Sequence, residues 1–243
     1  MNQVIDTIRS HRSIRKFKET PLTDTQINTI ISCAQSAATS SNVQAYSVVG
    51  VTDAALKQQL AVLTGNQAYV EQCPLFLVWC ADLHRSQKAC ELRDSTTAYI
   101  PTMENFIVST VDVALAAQNA ALAAESMGLG IVYIGGIRNN PREVVNLLHL
   151  PELVYPVFGM CVGVPDQEPS IRPRLDSTAV FHHNVYDAAH VSDGIEHYDE
   201  VMHEYYHKRQ KDTTWSKEMA DKFSKHSRAH MHSFLEEQGF RFD

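Results

Sequence analysis

The chain has 243 residues, 44% hydrophobic and 20% charged, which is long and apolar enough for a buried core and too apolar for a disordered chain. Its 21 Lys and Arg against 28 Asp and Glu give a formal charge of −7 at pH 7. That balance argues against a general nucleic-acid binder but leaves room for a local basic site for a small anion. No window approaches the ~20 apolar residues of a membrane span, and the opening MNQVIDTIRSHRS shows no apolar leader. The five cysteines, Cys33, Cys73, Cys80, Cys90 and Cys161, are odd in number and form no CxxC, which fits a reducing, cytoplasmic compartment. Cys73, Cys80 and Cys161 sit in apolar runs and read as packing residues.

Residues 2–10 place Val4, Ile5 and Ile8 on one helical face, and His11-Arg12-Ser13-Ile14-Arg15 follows. A second helix is predicted over 23–38, with Thr23 and Gln26 at capping-box spacing and an apolar stripe of Ile27, Ile30, Ile31 and Ala34. Thr39-Ser40-Ser41-Asn42 breaks it. Residues 44–51 read as a strand, 53–63 as a helix opened by Asp53, and 64–67 as a turn. The continuous apolar run 75–81 predicts a strand buried on both faces, whereas 84–100 shows no clear pattern. Residues 104–127 form the longest predicted helix, Ala-rich enough for close approach of a neighbour and ended by Gly128. A strand at 131–134, a helix from Asn140-Pro141 to about 150, and a strand at 154–163 complete the regular part. Beyond 165 the chain is Pro-rich and irregular to 192, then helical over 193–209 and 215–238, with no apolar content for a core of its own.

Strands and helices in this order could build a doubly wound dinucleotide fold, but the GxGxxG turn is missing, and Gly128-Leu129-Gly130 precedes a strand instead of following one. An α+β layered domain is therefore expected, with 1–165 as the core and 166–243 as a C-terminal extension of the same domain.

Five clusters have chemical potential. His11, Arg12, Ser13 and Arg15 offer four donors in five residues, enough to surround a phosphate or to solvate a helix end. Arg172-Pro173-Arg174 in extended backbone would project two guanidiniums to one side, around an anion or into water. Tyr133-Ile134-Gly135-Gly136 at a strand end permits close approach to a flat ligand, or is a plain turn. Ser40, Ser41 and Gln44, with Gln67 in a second turn, can pair with the edge of a heterocycle or do ordinary turn work. Residues 205–230 carry seven Lys or Arg against three Asp or Glu, a net of +4 on an acidic chain. That suits a small polyanion, with Lys208, Arg209, Lys211 and Arg228 as contacts, or a solvated surface. His203 and His207 have metal spacing but no third ligand. With no HExxH, P-loop or GxSxG motif, hard chemistry would fall to an organic cofactor.

These residues in this order resemble the nitroreductase superfamily, in its NADPH-dependent flavin reductase and oxygen-insensitive nitroreductase branch. The likeness spans nearly the whole chain. It runs through His11–Arg15, Ser40–Gln44, Leu63–Gln67, Ala123–Gly130, Tyr133–Asn140, Arg172–Leu175, Tyr205-Tyr206 and Thr214–Ser216. The resemblance implies a central, mainly antiparallel sheet flanked by helices. It also implies an FMN-binding homodimer whose C-terminal extension reaches the partner. His11, Arg12, Ser13 and Arg15 would hold phosphate and ribityl groups. Ser40, Ser41, Gln44 and Gln67 would hold the ribityl chain or ring edge, and Tyr133, Ile134, Gly135 and Gly136 would lie along the ring. Arg172 and Arg174 would approach the phosphate and pyrimidine end, and Arg172 stands where relatives often have Lys. Arg209, Arg228 and Lys208 would meet the NADPH 2′-phosphate, with NADH as the other donor, because the 207–211 loop varies. The implied activity is two-electron, ping-pong reduction of nitroaromatics, quinones, azo dyes or free flavin. An FMN storage or sensing protein without turnover is the rival, and a metal-binding His-rich tail a weaker one.

Overall fold

A computed structural model describes residues 2–242. The elements in order are α1 (Gln3–Arg9), α2 (Asp24–Gln35), β1 (Tyr46–Val51), α3 (Ala54–Leu63), α4 (Ala68–Gln72), β2 (Leu75–Asp82), α5 (His84–Glu91), α6 (Met103–Ser126), β3 (Gly130–Ile134), α7 (Pro141–Leu148), β4 (Val154–Gly163), α8 (Val191–His207), α9 (Trp215–Phe223) and α10 (Met231–Glu237). Short 3-10 turns occupy Ser40–Asn42, Gly135–Arg138 and Ser177–Ala179. The chain divides into two compact units, Met1–Pro169 with His230–Asp243, and Ser170–Ala229.

The first unit is built on one sheet of order β1-β2-β4-β3, and every pairing of these strands is antiparallel. The expected α+β sheet is thus present. β2 is buried along its whole length, as its apolar run requires. Its side chains alternate between two cores. Leu75, Leu77, Trp79 and Ala81 face the core that contains α2 and the Ala-rich face of α6. Phe76, Val78 and Cys80 face the core that contains Leu60, Val70 and Val144 of α3, α4 and α7. Cys73, Cys80 and Cys161 are fully buried free thiols, in keeping with packing roles.

Local signals explain most boundaries. Thr23 and Gln26 form the reciprocal capping box of α2, and the Asp53 carboxylate accepts from Leu56 N at the start of α3. β1 starts two residues later than expected because Gln44 has φ +54, incompatible with extended backbone. Asn140 does not cap α7. Its side chain donates instead to Leu63 O at 2.8 Å, and Pro141 alone marks the helix start.

The structure adds elements where no pattern was read and corrects other expectations. The unassigned stretch 84–100 contains α5, hidden because its polar sequence buries no residue. The turn at 64–67 is followed by the short α4, anchored by fully buried Val70. The helical run expected over 215–238 is two helices. The polar segment after Phe223 leaves the helix, Arg228 takes φ +56, and α10 then joins the first unit, where Phe234, Leu235 and Phe240 enter the main core. Finally, α6 is long and apolar enough by length and composition to cross a membrane, although no such window was expected. Here nine of its residues, Ser109 and Asp112 among them, are buried within the first unit.

The second unit has a small core after all. Tyr198, Met202 and Tyr206 of α8 are buried with Leu175, Tyr205 and Trp215 packed around them. The Asp199 carboxylate accepts from Ser216 N at 2.8 Å and from its hydroxyl, tying α8 to the start of α9.

Gly159 sits in β4 between Val78 and Ile134 of the flanking strands, and a Cβ there would collide with the Phe76 ring. Gly159→Ala should cost about 1–3 kcal/mol of stability through overpacking, measured as a lower urea midpoint with unchanged slope.

Candidate functional site

The His11–Arg15 segment runs beside the edge strand β3. Ser13 forms a parallel bridge to Ile131, and Ile14 N donates to Ile131 O at 2.9 Å. This leaves Ile14 buried while Arg15 is exposed and Arg12 partly so. His11 Nδ1 pairs at 2.6 Å with the largely buried Glu125 carboxylate in the last turn of α6. Arg12 Nη1 meets Glu168 at 3.2 Å and Pro169 O at 3.4 Å. A cleft of about 340 Å³ opens here, lined by Ser10, Arg12, Glu125, Gly130 and Glu168. Among the described residues Arg15 forms no ion pair, so its guanidinium is available to an anion.

The Ser40–Gln44 turn is held by a different part of α6. Ser41, Asn42 and Gln44 all have left-handed backbone, with φ of +47, +59 and +54. The Asp112 carboxylate, 1% exposed, accepts Ser40 N at 3.0 Å on one oxygen and Ala45 N at 3.1 Å on the other. From the opposite side Arg85 Nη1 donates to Gln44 O at 3.0 Å and Tyr46 O at 3.2 Å, and Nη2 donates to Ser47 Oγ at 2.9 Å. The turn is therefore fixed at its backbone, and Ser40, Ser41 and Gln44 remain exposed.

A third cluster joins two segments far apart in sequence. Gly136 packs so closely on the 64–67 turn that a Cβ would collide with Thr64 O and the Gln67 amide. Gln67 Nε2 donates to Thr64 O at 2.6 Å, and its Oε1 accepts from the Tyr69 hydroxyl. Asn139 Nδ2 reaches the same carbonyl at 3.4 Å. Gln67 and the Tyr133–Gly136 strand end are thus brought together. Ile134 and Gly136 are buried, while Tyr133 and Gly135 are partly open. No side chain caps the 3-10 turn that begins at Gly135, so its first N–H groups have no helical acceptor. The Tyr133 ring stands edge-on to Phe158, 5.1 Å between centroids, and burial pushes its phenol pKa up.

The remaining candidates belong to the second unit. Arg174 folds back, its Nη1 donating to Arg172 O at 2.9 Å, so the two guanidiniums do not form the parallel fork expected from an extended Arg-Pro-Arg. Arg172 instead lies against Tyr205, which raises its guanidinium above the usual value. Arg209 stacks on that same Tyr205 ring at 3.7 Å. Lys208 is exposed at the end of α8 and Arg228 lies in the segment before α10. His203 faces Asp212 at 3.6 Å, and no group of three metal-ligating side chains occurs among the described residues.

This geometry stands beside a full-length likeness to known proteins. The model of the nitroreductase family matches residues 8–164, and that of the nitroreductase family C-terminal domain matches 172–243. The chain belongs to the nitroreductase family. It is 43% identical over 248 residues to the FMN reductase (NADPH) of Bacillus subtilis, with 99% of each chain covered. It is 44% identical over 242 residues to the NADPH-flavin oxidoreductase of Vibrio harveyi, with 98% of each covered. Among solved structures, B. megaterium NfrA2 matches with a TM-score of 0.97 at 41% identity over all of both chains. The Vibrio harveyi NADPH:FMN oxidoreductase complexed with NAD+ matches with a TM-score of 0.89 at 44% identity, covering 98% of this chain and 99% of that one.

In this nitroreductase the residues that sequence reading passed over are mostly those that hold others in place. Asp112 is a carboxylate in the middle of an apolar, Ala-rich helix, and that anomaly was its one visible signal. Arg85 gave none, because it acts on carbonyl groups from a helix with no recognisable pattern. Asp112→Ala leaves two backbone N–H groups without their acceptor. It should cost about 2–4 kcal/mol, read from urea unfolding, with Asp112→Asn intermediate because one carbonyl oxygen survives.

Proposed function

We propose that the chain is an FMN-dependent oxidoreductase. It takes reducing equivalents from NADPH and reduces nitroaromatics, quinones, azo dyes or free flavin by two electrons. The observation that carries this reading is the likeness, end to end, to the two flavin oxidoreductases. The donor set supports it. A flat ring bearing a polyol and a dianionic phosphate needs cationic forks, neutral donors and a backbone edge without bulk. Arg12 and Arg15 supply the forks and His11 and Ser13 further donors. Ser40, Ser41, Gln44 and Gln67 supply hydroxyl and amide groups for the polyol and ring edge. The Tyr133-Ile134-Gly135-Gly136 strand end supplies a flat wall and uncapped N–H groups. Arg172 and Arg174 add fixed positive charge for the phosphate and pyrimidine end.

FMN, when bound by these residues, would supply the redox chemistry of two-electron transfer between the nicotinamide and a second substrate. The chain supplies position and field. Gln67 is held by Thr64 and Tyr69, which fixes its amide plane and leaves one N–H of Nε2 to donate. His11 is oriented by Glu125, which leaves Nε2 as its presenting atom. Arg209, Arg228 and Lys208 provide positive charge for the 2′-phosphate of NADPH. Turnover, and not storage of FMN, is the reading favoured by relatives named for reductase activity.

The working form is a cytoplasmic homodimer. Met103, Ile107, Val111 and Leu115 recur every four residues along α6 and are each at least 42% exposed, an apolar stripe suited to a second copy. Asp112 and Glu125 are 13 residues apart on that helix, about 20 Å of rise. The Ser40–Gln44 turn and the His11–Arg15 segment are therefore held at distant points of one chain, and pairing two chains offers a way for both to serve one cofactor. Val180, Phe181, Val185 and Tyr186, all exposed, give the C-terminal extension apolar contacts for reaching that partner.

The purified protein should show flavin absorption near ~370 and ~450 nm, or gain it with added FMN, and should oxidise NADPH in the presence of nitrofurazone or menadione. A protein that ignores FMN refutes the reading, and one that binds FMN without turnover is the storage form. Arg15→Ala should raise the Kd for FMN by about 10–100-fold, the loss of one charge-assisted contact. Val111→Glu should shift the sedimentation velocity of the protein from dimer to monomer.

A further inference from the structure

Two guanidiniums in the second unit share one aromatic ring. Arg209 lies with Cζ 3.7 Å from the Tyr205 centroid, donates from Nη1 to Tyr205 O at 3.2 Å, and reaches the Ser170 hydroxyl through Nη2. Arg172 lies with Cζ 5.8 Å from the same centroid. Among the described residues neither forms an ion pair. The nearby carboxylate, Glu218, is taken by the Tyr206 hydroxyl at 2.8 Å and by Lys211. Both arginines are exposed, Tyr205 is half-buried, and Lys208 adds a further exposed cation at the end of the same helix.

A long cationic side chain on a surface normally samples many rotamers. Stacking on a ring restricts it. A carboxylate partner would do the same while cancelling the charge. The ring orders the cations and leaves their positive field intact. A ligand with more than one phosphate group gains most from two cations held at a fixed spacing.

We propose that Tyr205 is the positioning residue that holds Arg172 and Arg209 for phosphate recognition, and through Arg209 sets the preference for a nucleotide that carries a 2′-phosphate. This rests on the reading of NADPH and FMN as ligands. The hydroxyl has a separate task from the ring, since Arg172 makes a side-chain hydrogen bond with Tyr205 while its Cζ lies 5.8 Å from the ring centroid, whereas Arg209 uses the ring face.

The test measures binding of 2′,5′-ADP and 5′-AMP by calorimetry to the full-length protein, and FMN binding by flavin fluorescence, in Tyr205→Phe, Tyr205→Leu and Arg209→Ala. Tyr205→Leu should weaken 2′,5′-ADP about tenfold, leave 5′-AMP within about twofold, and weaken FMN as well. Tyr205→Phe, which keeps the ring, should restore 2′,5′-ADP affinity to within about threefold of the parent while FMN remains weaker. Arg209→Ala should match Tyr205→Leu for 2′,5′-ADP and leave FMN unchanged. The proposal is overturned if Tyr205→Leu binds 2′,5′-ADP like the parent, or if it loses 5′-AMP equally. It is also overturned if Tyr205→Phe is as weak for 2′,5′-ADP as Tyr205→Leu. Should Tyr205→Leu not fold, the Phe variant and Arg209→Ala still decide it, since a ring-held Arg209 requires normal 2′,5′-ADP binding in the first and loss in the second. Failure of the parent protein to take up FMN counts against the proposed function, whereas the 2′,5′-ADP comparison stands without flavin.

Discussion

The first unit depends on how α6 satisfies two of its carboxylates, Asp112 and Glu125. A helix that buries an alanine face between a sheet and α2 has little tolerance for charge. A carboxylate taken out of water costs several kcal/mol unless hydrogen bonds replace its hydration. Asp112 recovers that cost by accepting Ser40 N and Ala45 N. Both donors come from one short turn, so the chain between them must reverse within four residues. The left-handed conformations of Ser41, Asn42 and Gln44 follow from that closure. Each is unfavourable for a residue with a Cβ, and charge-assisted bonds on a buried anion are strong enough to hold them. Glu125 repeats the device at the far end of α6, with the His11 ring as donor. One rigid helix thus fixes two candidate binding segments at separate points.

The strand end is organised by carbonyl groups instead. The carbonyls of Leu63 and Thr64 terminate α3 and lack helical partners. Asn140 takes the first, and Asn139 and Gln67 take the second. This brings the 3-10 turn at Gly135–Arg138 so close to the 64–67 turn that only glycine fits at 136. Binding groups placed by helix ends and backbone contacts are held more tightly than groups on free loops, which is what orientation of a flat ligand demands.

The fold was legible where one physical signal dominated. The unbroken apolar run of β2 predicted burial on both faces, and both faces are buried. Capping chemistry at Thr23, Gln26 and Asp53 placed two helix starts correctly. Sequence failed where tertiary contacts overrode local preference. Asn140 looked like a helix cap because of the Pro that follows it, yet its amide has a better use on Leu63 O. α5 was invisible because its sequence is polar throughout and none of its residues is fully buried, so no apolar stripe marks its inner side. The run 215–238 looked continuous because composition alone cannot register a left-handed residue at Arg228. In the candidate site the donor side chains were readable as types, whereas Asp112, Arg85 and Tyr205 were not readable in their roles. Their importance lies in which backbone groups or cations they meet, and that information is absent from one dimension.

The cations of the two units are restrained in different ways, and the difference bears on function. Arg12 is paired with Glu168, whose side chain is 86% exposed. An ion pair in that setting is worth at most about 1 kcal/mol. A phosphate dianion offering two acceptor oxygens competes with it easily. Arg209 and Arg172 are restrained by an aromatic face, which orders them without neutralising them. On a chain with a net charge of −7, a patch of uncancelled cations is the main feature that can draw a polyanionic nucleotide toward the protein. The attraction weakens once the ligand is beyond about a Debye length, ~8–10 Å in physiological salt. Steering and positioning therefore have to act at the same few residues, and a ring that leaves the charge exposed serves both.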